Sequence, residues 1–286
     1  MKEKIIVNQE EMKLLDLLVQ NLPDLSVKKI KSFVKYKMVS IDGRVEMNSS
    51  TVVRIGSSVK VSFSKKVIPH IDLDIIYEDR DLVVIDKPAG LLSISNSKEK
   101  EITAFRLVSD YIKKDNKSAK LFVVHRLDQG TSGVLLFAKN LKLKEKLQKD
   151  WNDLVRKREY IAVVEGKMEN TGTIESYLTM NHFQIVYSTK NKEVGNFART
   201  HYRLLKYKNR YSLLEVNIDT GRRNQIRVHM SEAGHPITGD KKYGARVNPI
   251  NRLALHASKL HLVDPRNGKV LKLESPVPKE IENLVK

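Results

Sequence analysis

The run HRLDQGTSG (125–133) gathers His125, Arg126, Asp128, Thr131 and Ser132 between the turn glycines Gly130 and Gly133. Two hydrophobic runs, LFVV (121–124) and VLLFA (134–138), flank it. A carboxylate held beside cations can act as a nucleophile or a general base. An adjacent cation favours the ionised form such chemistry needs. The same residues admit two blander readings. An aspartate in a glycine-bounded turn often does no more than hydrogen-bond its own backbone. Ser132 beside His125 and Asp128 has the makings of a hydrolytic triad, but no GxSxG elbow surrounds it.

Further along, Tyr160 opens the apolar run YIAVVEG (160–166), where an aromatic can equally be core or rim. In TGRRNQIRVHM (220–230) the periodicity predicts a helix over 223–233 that ends at Gly234. Arg223 and Arg227 are then an i, i+4 pair on one face, with Ile226 and Met230 marking the buried side, so the basic face is expected to point away from the core. Cofactor motifs are missing: GTSG (130–133) is not a GxxxxGK[ST] phosphate loop, and no GxGxxG opens a helix. The chain has no cysteine, and its eight histidines form no HExxH-like pair, so neither a thiolate nucleophile nor a metal site is expected.

The charge balance of 52 Lys+Arg against 34 Asp+Glu, a formal +18, attracts polyanions. No apolar run approaches the roughly 20 residues that span a bilayer, and the start MKEKIIVNQEEMK turns acidic too early for a signal peptide. A cytoplasmic protein acting on nucleic acid is the expectation, with no membrane partner.

These groups need elements to position them. Residues 1–63 read as a small α+β unit: an amphipathic helix over 13–22 carries Leu14, Leu17, Leu18 and Leu22 on one face. Ser26 then caps a second helix, VKKIKSFVKYK (27–37), whose stripe is Val27, Ile30 and Val34 and whose other face carries Lys28, Lys31 and Lys35. Strands follow around VSI (39–41), a turn at Asp42-Gly43, RVEM, and SVKVSF (58–63). Residues 64–74 read as a linker. From 75 to 286 strand signals dominate, with runs at 75–79, 82–88, 121–124, 134–138, 160–166, 200–207 and 211–218. Helical patterns cover about 103–114, 140–156 and 223–233. Hairpins with a few inserted helices make an α+β fold with a mixed, mainly antiparallel sheet, not a doubly wound one.

The HRLDQGTSG run resembles the HRLDxxTSG motif of the RluA-type pseudouridine synthases. DKPAGLLS (86–93), KREYIAVVEG (157–166), TGRRNQIRVHM (220–230), HPITGDKKYG (235–244) and LALHASKLHLVDPRNG (253–268) agree with that family in order and spacing. The resemblance spans about 75–280. Within the first 63 residues, nearly all of 12–63 resembles the RNA-binding domain of the ribosomal-protein-S-four type, with the lysine helix as its RNA-facing element.

The resemblance implies isomerisation of uridine in RNA to pseudouridine, a reaction that oxidises and phosphorylates nothing and so needs no cofactor. It makes Asp128 the nucleophile or base, Arg227 the cation beside it and Tyr160 the ring that stacks on the base. A base inside RNA must first be extruded, at a cost of a few kcal/mol. The resemblance assigns Arg126 to the vacated stack, where a planar guanidinium fits. His125, Thr131, Arg222, Arg223 and Asn224, with Lys28, Lys31 and Lys35, complete the expected RNA-contacting set. Asn224 departs from the family, which often has histidine there, but its amide still offers a donor and an acceptor. Ribosomal RNA of the large subunit is the favoured substrate. The alternatives are transfer RNA, or an idle RNA-binding or ribosome-assembly factor that kept the fold.

Overall fold

A computed structural model describes residues 3–35, 38–46, 48–63, 73–95 and 103–286, without the side chains of Lys35, Arg44 and Val45. The chain divides into two compact units, Met1–Ile71 and Asp72–Lys286. Residues 64–72 of the expected linker lie outside the described residues.

In the first unit β1 (Glu3–Val7) and β2 (Met12–Lys13) precede α1 (Leu14–Asn21) and α2 (Val27–Lys35). Strands β3 (Val39–Ile41), β4 (Arg44–Val45), β5 (Val52–Val53) and β6 (Ser58–Ser62) follow. The main sheet has the order β1-β6-β3-β4, and β2 pairs with β5. The leucines of α1 pack with Ile30, Phe33 and Val34 of α2 against Val39, Val59 and Val61. Ser26 caps α2 by accepting from the Lys29 amide at 3.3 Å. Val27 departs from the predicted stripe: in the first turn of α2 it passes the end of the small core and is 47% exposed. Phe33 is buried instead, edge-on to Phe63 with ring centroids 5.7 Å apart. Lys28, Lys29 and Lys31 are exposed.

The second unit runs β7 (Asp74–Glu78), β8 (Leu82–Lys87), α3 (Ala104–Ile112), β9 (Phe122–Val123), β10 (Ser132–Ala138), α4 (Leu141–Lys149), α5 (Trp151–Leu154) and β11 (Val155–Glu165). It continues with β12 (Thr171–Met180), β13 (Val186–Thr189), β14 (Asn196–Lys208), β15 (Tyr211–Ile218), α6 (Gln225–Glu232), β16 (Leu255–Val263), β17 (Val270–Glu274) and α7 (Lys279–Glu282). One eleven-stranded sheet has the order β13-β12-β14-β15-β11-β16-β10-β8-β7, with β17 on β16 and β9 on β10. The result is an α+β fold whose described strand pairs are antiparallel except β10–β16. Ile226 and Met230 of α6 join Ile161, Val163 and Leu214 in one core, and Leu143 and Leu147 of α4 join Leu136 and Leu262 in another.

The helix predicted over 140–156 stops early. Asp150 ends α4, α5 is one turn, and Val155 already pairs with Leu262 of β16. Pairing in the sheet overrides helical periodicity there. Strands β1, β2 and β5 of the first unit and β12, β13, β16 and β17 of the second have no predicted counterpart. In β16 (LHASKLHLV) buried histidine and serine hide the strand pattern.

Where the parallel pair begins, Gly133 faces Ala257 with φ +109, and a Cβ added to it would lie 2.1 Å from the Ala257 carbonyl oxygen. Only glycine fits. Gly133→Ala should therefore lower stability by at least about 2 kcal/mol, read as a fall in the urea midpoint; an unchanged midpoint would show that the two backbones can separate.

Candidate active site

The loop between β9 and β10 carries Asp128, and residues 87–93 hold that loop in place. Ser93 Oγ accepts from the Leu127 amide at 3.0 Å and donates to the Leu127 carbonyl at 2.8 Å. The Gly90 amide donates to Gln129 O at 2.8 Å, and Gln129 Nε2 returns a bond to Gly90 O at 3.0 Å. Lys87 is fully buried and donates to the carbonyls of Pro88 (3.0 Å), Leu91 (2.8 Å) and Gln129 (3.3 Å). Burial pushes its ammonium down to about 7, with the Arg252 charge acting the same way and Asp128 and Asp86 opposing it. Thr131 is buried, and its amide donates to the Asp128 carbonyl at 3.1 Å, closing the turn. Asp128 does sit in a backbone-bonded turn, but its carboxylate reaches outward to Arg227.

That guanidinium comes from α6 and is held on three sides. Nε and Nη2 donate to the two carboxylate oxygens of buried Asp240 at 2.6 and 2.7 Å. Nη1 donates to Asn224 Oδ1 at 3.2 Å and lies 3.6 Å from Asp128 Oδ2. The Tyr243 ring supports the guanidinium from below, 4.9 Å from ring centroid to Cζ. Burial works to lower the Arg227 pKa, yet the bonds and charge of Asp240, with the charge of Asp128, leave it raised overall. A cation so placed stays charged.

Two expectations about α6 need correcting. The Arg227 side chain is 14% exposed and points inward, because buried acceptors satisfy it. Arg223 shares no helical face with it, since α6 starts at Gln225 and Asn224 takes a left-handed conformation (φ 55°, ψ 18°). Asparagine tolerates that conformation better than most residues. Arg223 instead reaches Met180 Sδ at 3.2 Å and Gln184 Oε1 at 3.3 Å. Asn224 is buried, and its Nδ2 donates to the Tyr243 hydroxyl at 2.9 Å.

A cleft is lined by Arg126, Asp128, Thr131, Tyr160, Arg222, Asn224 and Arg227, among others. Seven of the singled-out residues thus come together. Tyr160 comes from β11, between Val216 of β15 and Ala257 of β16. Burial pushes its hydroxyl up to about 12, Arg158 opposing and Asp128 adding. Arg126 is exposed; Arg222 donates through Nε to the Phe197 carbonyl at 3.0 Å. His125 and Arg223 do not line the cleft. The His125 ring turns back, accepts from the Leu136 amide at 3.1 Å and packs on Trp151 with centroids 5.2 Å apart. Lys28 and Lys31 belong to the other unit, and the Lys35 side chain lies outside the described residues. Sequence reasoning missed Lys87, Ser93, Asp240 and Tyr243 as individuals; their only signal was membership of the DKPAGLLS and HPITGDKKYG blocks.

The RNA pseudouridylate synthase family model matches residues 81–232. The chain is 33% identical over 264 residues to the uncharacterized RNA pseudouridine synthase YhcT of Bacillus subtilis (strain 168), covering 89% of this chain and 86% of that one. It is 32% identical over 289 residues to ribosomal large subunit pseudouridine synthase D of Nitrosomonas europaea, covering 94% of this chain and 82% of that one. Among solved structures, human RNA Pseudouridylate Synthase Domain Containing 4 superposes with a TM-score of 0.61 over 74% of this chain and 91% of that one; at 23% identity this is a likeness of fold. The chain belongs to the RNA pseudouridylate synthase family, isomerases that convert uridine in RNA to pseudouridine.

Burial holds the His125 imidazole down to about 4 from its ordinary 6.5, with the Arg158 charge adding to the effect. Below about 6.5 the unfolded chain takes up a proton that the folded chain refuses until about 4, so this group's contribution to stability falls with pH across that window. The loss is at most roughly 1.4 kcal/mol per pH unit. Denaturant titrations between about pH 7 and 4 should show a shallower decline for His125→Gln, which keeps an acceptor for Leu136, than for wild type.

Proposed function

We propose that Asp128 is the nucleophile or base of this isomerase, that Arg227 holds it ionised, and that Tyr160 stacks on the uracil in the cleft. The observation that carries this reading is the Arg227 guanidinium, clamped by Asp240 and presented 3.6 Å from the Asp128 carboxylate on a cleft that Tyr160 also lines. Isomerisation breaks the bond from N1 of uracil to the ribose, turns the base and joins its C5 to the same ribose carbon. N1 ends with a proton and C5 gives one up, so the reaction is balanced without a co-reactant. Arg126, exposed at the cleft edge, fills the stack that the extruded base leaves. Arg222 and Arg223 meet the phosphates, Thr131 and His125 set the loop from behind, and Asn224 keeps the positioning role open to its amide. The motif run marks the enzyme as RluA-type.

The favoured substrate is large-subunit ribosomal RNA. Support comes from the Nitrosomonas relative, whose name specifies that RNA and whose match covers 94% of this chain, too much to omit the first unit. Residues 1–63 of that unit are proposed as an RNA-binding domain of the ribosomal-protein-S-four type joined by a linker at 64–74 to the catalytic domain at 75–286. Its α2 exposes Lys28 and Lys31. A second anchor raises avidity for one site in a long RNA.

Asp128→Asn should lower turnover by more than about a hundredfold, since removing a group that acts in covalent chemistry costs at least that, while leaving the urea midpoint nearly unchanged; turnover within tenfold of wild type removes Asp128 from the role. Deleting residues 1–63 should flatten the plot of log K against log salt by roughly 0.7 to 0.9 for each phosphate that α2 would have neutralised. An equal slope in the truncated protein would assign α2 another task. Pseudouridine mapping in a deletion strain decides the substrate: a site lost from large-subunit ribosomal RNA is expected, and a site lost only from transfer RNA overturns it.

A further inference from the structure

Among the described residues four arginines are half-buried: Arg158, Arg199, Arg227 and Arg252. Three of them meet a carboxylate. Arg199 is 2.6 Å from Glu175, Arg227 is 2.6 Å from Asp240, and Arg252 is 3.2 Å from Glu280. Arg158 meets none among the described residues. Its hydrogen bond runs from Nη2 to the backbone carbonyl of Asp219, while the Asp219 carboxylate turns to His201 at 3.0 Å and Arg199 at 3.5 Å. Burying a charge without a partner is costly, and the cost shows in the Arg158 pKa, which burial lowers against the opposing pull of Tyr160 and Asp219. A guanidinium with most of its five donors free is an incomplete anion site.

Its position says which anion. Arg158 lies two residues before Tyr160 on β11, and both line a hollow with His125, Trp151 and Lys259. Tyr160 and Leu127 are shared by this hollow and the active-site cleft. Gly221 lines the cleft. A Cβ at Gly221 would come 3.1 Å from Arg158 Nη1, so the missing side chain leaves that nitrogen uncrowded beside the cleft. Lys259, the other cation of the hollow, is engaged 3.0 Å from Glu159. His125 stays uncharged at neutral pH, so it does not compete with Arg158 for an anion.

We propose that Arg158 binds a phosphodiester flanking the nucleotide held in the cleft, completing its unpaired guanidinium with the substrate's own backbone. The planar fork of arginine suits two phosphate oxygens at once. This site rests on the reading of the cleft given above. It would fix the RNA strand at the edge of the Tyr160 pocket, so that extrusion delivers the base to Asp128 and not merely to the surface.

The test uses the full chain and an RNA fragment containing the mapped uridine. Wild-type turnover on that fragment reports on the proposed function; comparison with variants reports on the phosphate site. Arg158→Met should weaken the Kd by about tenfold to a hundredfold, the range for removing a charge-assisted bond. The salt slope should flatten by roughly 0.7 to 0.9. Arg158→Lys should recover part of the affinity. A neutral methylphosphonate at one phosphate flanking the target should weaken wild type by a similar factor and cost Arg158→Met nothing further. The urea midpoint of Arg158→Met should stay close to that of wild type, because the half-buried guanidinium makes no ion pair among the described residues; a structural role through the Asp219 carbonyl would lower it instead. Equal Kd and salt slope in Arg158→Met would overturn the proposal. So would a methylphosphonate series in which no flanking position weakens wild-type binding, a readout that stands even if the variant fails to fold.

Discussion

A buried guanidinium must be satisfied on every side, and most of the site's geometry follows from how Arg227 meets that demand. Asp240 takes two of its nitrogens as a fork, Asn224 takes part of the third, and Tyr243 closes the face below. What remains is one nitrogen directed at Asp128. A lone charge at that depth would cost several kcal/mol; the clamp turns it into a fixed point charge with a single outward direction. Asn224 does this from a left-handed conformation, which also starts α6 later than periodicity suggests and frees Arg223 to reach Gln184.

The carboxylate opposite is fixed by a different device. Besides the loop's own buried Leu127 and Thr131, neighbouring residues supply order: Ser93, Gly90 and Lys87 tie residues 127 and 129 by hydrogen bonds. Lys87 satisfies its buried ammonium with three carbonyls, which leaves the Asp128 carboxylate to Arg227. Behind the loop, β10 and β16 approach closely enough that position 133 admits only glycine. Asp128, in the loop that leads into β10, and Tyr160, on β11, thus come from either side of β16 in one sheet, while the cation arrives on a helix docked against it through Ile226 and Met230.

Charge is distributed in the same spirit. The excess of +18 gives a diffuse pull on RNA, but diffuse charge cannot choose a uridine. The cations near the cleft differ in their surroundings: Arg227 is fully engaged, Arg158 is half-buried with no acid paired to it among the described residues, and Arg126 is exposed at the edge.

The amino-acid sequence by itself determined the α+β class, the leucine face of α1, the Ser26 cap, the strand 211–218, and the HRLDQGTSG loop with its linked blocks. These are local periodicities and contiguous motifs, legible because residues close in sequence carry them. It also marked Asp128, Tyr160 and Arg227 by resemblance. It misjudged what depends on distant partners. Val27 looked buried until the size of the small core left it outside; residues 155 and 156 looked helical until β16 paired with their strand. His125 looked like an RNA contact, yet the Leu136 amide and Trp151 draw its ring away from the cleft. Asp240, and the lack of a paired acid at Arg158 among the described residues, left no trace in spacing. Whether a charge is paired is a property of the space around it, and only the tertiary fold decides which residues share that space.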